Sequence, residues 1–318
     1  MIRLDLITGF LGAGKTSFLL RYADWLLRRG EKLGILVYDH GALNVDLPLL
    51  ARLRSERCEL ETLAGGCDAD CHRRRFRTRL IAMSMAGYDR VIIEPSGVFD
   101  MDEFFDTVHE PPLDGKYEPG SVIAVVDAKL EENLSPEEDF FLASQAADAG
   151  AILLSRCQLS TPREIEGCLD HLDRAAAMIR CREPLRGKVI AKDWDALTDA
   201  DFAALSDCGY SSADYVKTIA GSDGGFQSLP FLNLSLDLDA LREKTQALFH
   251  DGRFGRVLRV KGITADAGRF LQFNATPDSF RSEPAETGRP ALLVIGMGLN
   301  EDEINLLLTG TIPEHHIL

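Results

Sequence analysis

Gly9-Phe10-Leu11-Gly12-Ala13-Gly14-Lys15-Thr16 fits the spacing G-x-x-x-x-G-K-[ST] at every fixed position. This set of residues can hold a polyphosphate. The glycines let backbone N–H groups turn inward around phosphate oxygens, and a helix starting at the lysine adds its positive end. Lys15 would reach the β- and γ-phosphates and the Thr16 hydroxyl would hold Mg²⁺, with Gly12, Ala13, Gly14 and Ser17 completing the cradle. A second segment, Asp89-Arg90-Val91-Ile92-Ile93-Glu94-Pro95-Ser96-Gly97, ends an apolar run on an acid. Glu94 there can face the Mg²⁺ directly or through water. Gly97 can offer its N–H to the γ-phosphate, on a backbone permissive enough to switch. A third, Tyr38-Asp39-His40-Gly41-Ala42-Leu43-Asn44-Val45-Asp46, puts Asp39 where it could hold Mg²⁺ or position the attacking water. Ordinary turn chemistry would also account for a strand followed by Asp and Gly.

Gly65-Gly66-Cys67-Asp68-Ala69-Asp70-Cys71-His72 carries a different chemistry. Cys67 and Cys71 are four apart and would share a face if a helix starts here. Thiolates beside a His or an Asp suit a soft metal, and Cys58 would join if the preceding strand turned back. The plainer reading is two ordinary cysteines beside a glycine turn, because no second cysteine pair exists. Seven cysteines is an odd count that argues against a disulfide framework, and Cys168, Cys181 and Cys208 read as small buried side chains. Glu314-His315-His316 reads as a terminal tail.

Strands and helices must alternate to position these groups. Apolar runs at 2–8, 33–38, 59–63, 90–94, 121–127, 151–155 and 187–191 read as strands, and periodic patterns at 15–29, 72–86, 101–109, 137–148 and 162–179 read as helices. The expected class is α/β, with a mostly parallel sheet covered on both faces. Near residue 205 the texture changes. A Ser/Gly/Asp-rich stretch from Gly209 to Gly225 reads as a linker. A smaller α+β domain then follows, with strands near 228–236, 256–263, 269–275 and 291–296 and helices at 238–249 and 300–308, and a ferredoxin-like order is the expectation. The expected division is 1–205, a linker at 206–226, and 227–318.

The chain has 318 residues and a net charge of −15, which disfavours nonspecific binding to nucleic acid or anionic membrane. The basic run at Arg73, Arg74, Arg75, Arg77 and Arg79 reads as a solvated helix face paired with local acids. No apolar run reaches membrane-spanning length, and the first residues are needed for the strand and phosphate loop, so a cytoplasmic location is expected.

Taken in order, these segments resemble the CobW-like branch of the P-loop GTPases, relatives of HypB and UreG. The phosphate loop from Ile7 to Thr16, the Glu94-Pro95-Ser96-Gly97 segment, Val125-Val126-Asp127-Ala128, and Asp39, Gly41 and Asp46 carry the likeness. Tyr38 stands where an Asn is usual. Arg256 to Ile263 is similar to the R-x-K-G strand of the CobW C-terminal domain, and Leu292 to Gly296 to its last strand. The resemblance implies slow GTP hydrolysis with Mg²⁺, coupled to delivering Zn, Co or Ni to a client metalloprotein or cofactor enzyme. It also implies a nucleotide-dependent homodimer as one form. Lys15, Asp39 and Glu94 would be catalytic, and Cys67 and Cys71 would carry the cargo metal. Two departures stand out. In the family's G-C-x-C-C motif only Gly66 and Cys67 align, while Ala69 and Asp70 replace the next two cysteines and Cys71 falls one position late. In the family's N-K-x-D, Ser155-Arg156-Cys157-Gln158 puts a neutral amide where an aspartate would accept from guanine, which weakens base discrimination and leaves ATP as an alternative. These departures also suit an alternative role, a nucleotide-binding regulatory or scaffold module with little turnover.

Overall fold

The computed structural model describes residues 1–39, 47–64, 69–131, 133–213, 215, 226–234, 236–266, 268–277, 279–285 and 290–311. Two compact units divide the chain: Met1–Asp39 with Leu53–Ile219, and His40–Arg52 with Ala220–Leu318.

In the first unit the strands are β1 (Ile2–Thr8), β2 (Leu33–Asp39), β3 (Cys58–Ala64), β4 (Arg90–Pro95), β5 (Tyr117–Asp127), β6 (Ala151–Ser155) and β7 (Val189–Ile190). Among the described residues they form one sheet, ordered β3-β2-β4-β1-β5-β6-β7, in which neighbouring strands run parallel. All six residues of β4 and all five of β6 are buried, as central strands are when helices cover both faces. The helices are α1 (Lys15–Arg28), α3 (Ala69–Met83), α4 (Met101–His109), α5 (Pro136–Asp148), α6 (Pro162–Met178) and α7 (Asp199–Ser206); a short α2 (Leu47–Ala51) falls within the other unit. Local chemistry sets their starts. Ser135 and Thr161 each close a capping box, with Glu138 and Glu164, just before a proline. Leu4, Leu6, Leu36, Ile93, Val122 and Ile152 lie in one core beneath the helices.

After β1 the chain lays β2 and β3 to one side, returns with β4 beside β1, and places β5 to β7 on the other side. The carboxyl end of β1 therefore opens at a topological switch point, where α/β sheets present a ligand crevice. A buried polar network pins this centre. The fully buried Asp5 accepts from Tyr22 Oη (2.7 Å), Arg90 Nη1 (2.5 Å) and Ser121 N (2.8 Å), joining β1, α1, β4 and β5.

Residues 208–213 and 215 are fastened to this same unit. Gly209 O accepts from Val122 N, Ser211 N donates to Asp148 O, and Tyr215 Oη donates to Asp148 Oδ2. Burial pushes the Asp148 carboxyl up to about 6.

The second unit holds β8 (Phe226–Leu232), α8 (Leu238–His250), β9 (Arg256–Asp266), β10 (Arg269–Thr276), β11 (Ser279–Ala285), β12 (Ala291–Met297) and α9 (Glu301–Thr309). Its antiparallel sheet runs β11-β10-β9-β12-β8. β8 and β9 flank β12, which is the split βαβ of a ferredoxin-like unit, but the second helix follows the last strand instead of preceding it. β11 is additional to the strands expected from sequence. Its residues, Ser279–Ala285, are half-buried or exposed, with no continuous apolar run to announce it.

Candidate nucleotide site

The cradle is built where β1 ends. Gly9 to Gly14 turn between β1 and α1, and Gly14 caps the helix at φ 104° in the left-handed region, where a side chain would be strained. Lys15 opens α1 and is 6% exposed; its Nζ donates to the Gly9 carbonyl at 2.8 Å, so the ammonium is folded over the loop. Thr16 and Ser17 follow on the first turn of the helix. Thr16 Oγ1 donates to Glu94 Oε1 at 2.5 Å, across 78 residues of sequence. Glu94 is itself buried, at the end of β4 next to β1. Gly97 comes closer still: a Cβ there would stand 2.5 Å from the Leu11 backbone nitrogen, so only glycine lets this loop lie against the cradle. The structure thus brings together Gly12, Ala13, Gly14, Lys15, Thr16, Ser17, Glu94 and Gly97.

The remaining sequence candidates are placed as follows. Asp39 ends β2, and its strand pairs with β4 through Val37 to Glu94 and Tyr38 to Pro95; its side chain lies outside the described residues. Tyr38 packs in the core, stacked on Phe76 at 5.1 Å, with its hydroxyl donating to Glu103 at 2.8 Å. Burial raises the pKa of both groups, so the bond joins a neutral phenol to a carboxyl held above its usual range. Residues 40–46, 65–68 and 312–318 lie outside the described residues, so Gly41, Asp46, Cys67, Asp68 and Glu314-His315-His316 are not placed. Cys71 is half-buried near the start of α3 and is not disulfide-bonded. Cys58 opens β3 while Ala64 closes it, a span of about 20 Å. Cys58 thus lies at the opposite end of β3 from Ala64, and burial pushes its thiol up to about 11. Among the described residues, no three His, Cys, Asp or Glu side chains are grouped to hold a metal.

Gln158 is exposed on a 3₁₀ turn, Cys157–Leu159, that follows β6. The residue that reaches the cradle from this loop is its neighbour Arg156, which sequence reasoning left without a role. Arg156 Nη2 donates to Gly12 O at 3.1 Å, and Nη1 pairs with Asp127 at the end of β5. The only signal was its place at the lysine of the N-K-x-D likeness. Two more residues carried no sequence signal. Gln145, on α5 and 1% exposed, donates through Nε2 to the Gly97 carbonyl (3.1 Å) and the Phe99 carbonyl (3.3 Å), holding the loop after Glu94. Trp194, after β7, sends Nε1 to Leu154 O at 2.9 Å, and its ring lies 3.3 Å from where a Cβ on Gly14 would stand.

Thr16 and Glu94 supply a hydroxyl and a carboxylate, the hard oxygen donors that Mg²⁺ takes, already within contact of one another beside the loop. The donor set fits that ion.

Residues 4–185 match the family model described as CobW/HypB/UreG, nucleotide-binding domain. The zinc chaperone YjiA of Escherichia coli (strain K12) is 26% identical over 331 aligned positions, covering 97% of this chain and 98% of that protein. The zinc chaperone YeiR of the same organism is 29% identical over 168 positions, which is 51% of this chain and about half, 48%, of the relative's own length. Among solved structures, Zn(II)-bound YjiA GTPase from E. coli aligns over 98% of this chain and 99% of that one, at 20% identity and a TM-score of 0.37. Hydrogenase maturation factor HypB from Archaeoglobus fulgidus aligns over 64% of this chain and 85% of its own, at 17% identity and a TM-score of 0.39. With its phosphate loop, its acid-tipped β4 and more than half its length matched by that model, the chain belongs to the CobW/HypB/UreG nucleotide-binding family.

Proposed function

We propose that this protein binds GTP with Mg²⁺, hydrolyses it slowly, and uses the change at the γ-phosphate to deliver a transition metal to a client metalloprotein or cofactor enzyme. The observation that carries the reading is the 2.5 Å contact between Thr16 of the cradle and Glu94 of β4, which couples the phosphate loop to the strand that precedes Gly97. In this reading backbone N–H groups of Gly12, Ala13 and Gly14 hold the phosphates, and Lys15 balances charge on the β- and γ-oxygens. Thr16 and Glu94 hold the magnesium ion, and Gly97 offers its N–H to the terminal phosphoryl. Asp39, at the neighbouring strand end, positions water or metal. When bound, Mg²⁺ offsets the charge that builds on the phosphoryl oxygens during transfer. Gln145 couples the Gly97 loop to α5, so a change at the γ-phosphate has a path into the helical layer. Zinc is the cargo that the names of the relatives favour, with Cys67 and Cys71 as its carriers.

Single-turnover release of phosphate from γ-labelled GTP tests the enzyme. Wild-type protein should release phosphate, accelerated by cargo metal or client, and Lys15→Ala should not. Nucleotide binding without any release, with zinc, cobalt or nickel present, would favour a regulatory module instead.

A further inference from the structure

We infer that the carboxylate reading the guanine edge is Asp193, presented by the loop after β7, in place of the acid missing from the loop after β6. The inference rests on the nucleotide reading above and assigns its base specificity.

Guanine presents two adjacent donors, N1–H and the 2-amino group, and a carboxylate accepts from both. The loop after β6 offers no carboxylate: Ser155, Arg156, Cys157 and Gln158 occupy it. Arg156, a cation with donors only, is committed to Gly12 and Asp127. The adjacent loop is fixed on three sides. The Trp194 indole bonds the end of β6, its ring packs edge-on to Phe18 of α1 at 5.7 Å and against Gly14, and Arg21 of α1 pairs with Asp195 at 2.7 Å. This places residues 193–195 between the first turns of α1 and the β6 loop, beside the cradle that holds the phosphates.

Asp193 itself is held in orientation, because its Oδ1 accepts from Asp195 N at 3.0 Å. Its charge is felt at Cys157, the neighbour of Gln158, whose thiol is pushed up by burial and then by Asp193. The other acids of this loop cluster are engaged: Asp127 by Arg156, Asp195 by Arg21, Asp199 by the Trp25 indole and Asp201 by Lys192. Among the described residues no ion pair engages Asp193. Adenine would set its N1 lone pair against a carboxylate, so the assignment favours GTP over ATP.

Calorimetric titration of the full chain with GTP, xanthosine triphosphate and ATP, each with Mg²⁺, tests the assignment in wild type, Asp193→Asn and Gln158→Ala. Asparagine caps a helix turn as well as aspartate, so the fold is kept. Asp193→Asn should lose roughly 30- to 100-fold in GTP affinity and gain for xanthosine triphosphate, whose 2-carbonyl accepts from the new amide. Gln158→Ala should stay within about threefold, since a solvent-exposed amide contributes little. Unchanged GTP affinity in Asp193→Asn, equal weakening toward all three nucleotides, or a loss carried by Gln158→Ala would each overturn the assignment. A wild type that binds none of the three would refute the nucleotide reading itself.

Discussion

Replacing Gln145 by leucine isolates the contact that holds the loop after Glu94. The side chain is 1% exposed, and its single amide nitrogen serves two carbonyls, Gly97 at 3.1 Å and Phe99 at 3.3 Å. Leucine is of similar size, so no cavity opens, but both carbonyls lose this donor. A buried acceptor left unsatisfied costs about 1–3 kcal/mol. An offset exists, because Gln145 Oε1 is buried without a hydrogen-bond partner and its removal is favourable. The net is a loss of about 2–3 kcal/mol, confined to the loop if it detaches before the sheet unfolds. Amide hydrogen exchange should therefore quicken roughly 30- to 100-fold at residues 97–99, while the amides of β1 and β4 keep their protection. GTP affinity should fall about tenfold or more, because the Gly97 N–H must be ordered again on binding. Equal exchange at 97–99 in variant and wild type would show that Gln145 does not hold this loop.

Three further outcomes follow from other contacts. Gly97→Ala drives a Cβ to 2.5 Å from the Leu11 backbone and should reduce GTP affinity at least tenfold, measured by titration, with little change in far-ultraviolet circular dichroism. Asp148, raised by burial from 3.8 to about 6, binds its proton more tightly folded than unfolded. Its contribution is full below the unfolded value and is lost as pH rises through about 6, up to about 3 kcal/mol in all. Asp148→Asn should flatten that descending part of the stability curve between about pH 4 and pH 6, and urea midpoints at several pH values will show whether it does. Cys67→Ser with Cys71→Ser should weaken zinc binding at least tenfold, and a chelator competition giving wild-type affinity would remove these thiols from the cargo site.

Much of the first unit was legible because its central strands are short, mostly apolar segments bounded by turn residues. Ile2–Thr8, Arg90–Pro95 and Ala151–Ser155 fall within a residue or so of the expected limits. The cradle was legible because its residues are contiguous in sequence. Glu94 was harder: its 78-residue separation from Thr16 is closed only by β4 inserting beside β1, and it was found because an acid ends an apolar run. Gln145 and Trp194 were not legible at all. One lies on a helix face, the other in a loop, and each acts through a hydrogen bond to a distant carbonyl that no periodicity encodes. Gly209 and Ser211 fall in the stretch read as linker from its composition, yet they are bonded to the first unit through backbone groups that composition does not reveal. β11 was missed because an edge strand of Ser, Arg, Glu and Pro has no apolar alternation.

The cradle formed by Gly9 to Thr16 and joined to Glu94 is the proposed seat of the nucleotide. Titration calorimetry of GTP into wild-type protein and Glu94→Gln, with and without Mg²⁺, addresses it most directly. Wild-type binding should strengthen at least tenfold when Mg²⁺ is added, and Glu94→Gln should lose most of that gain while retaining the magnesium-independent part. Binding that ignores both the ion and the substitution would contradict the account.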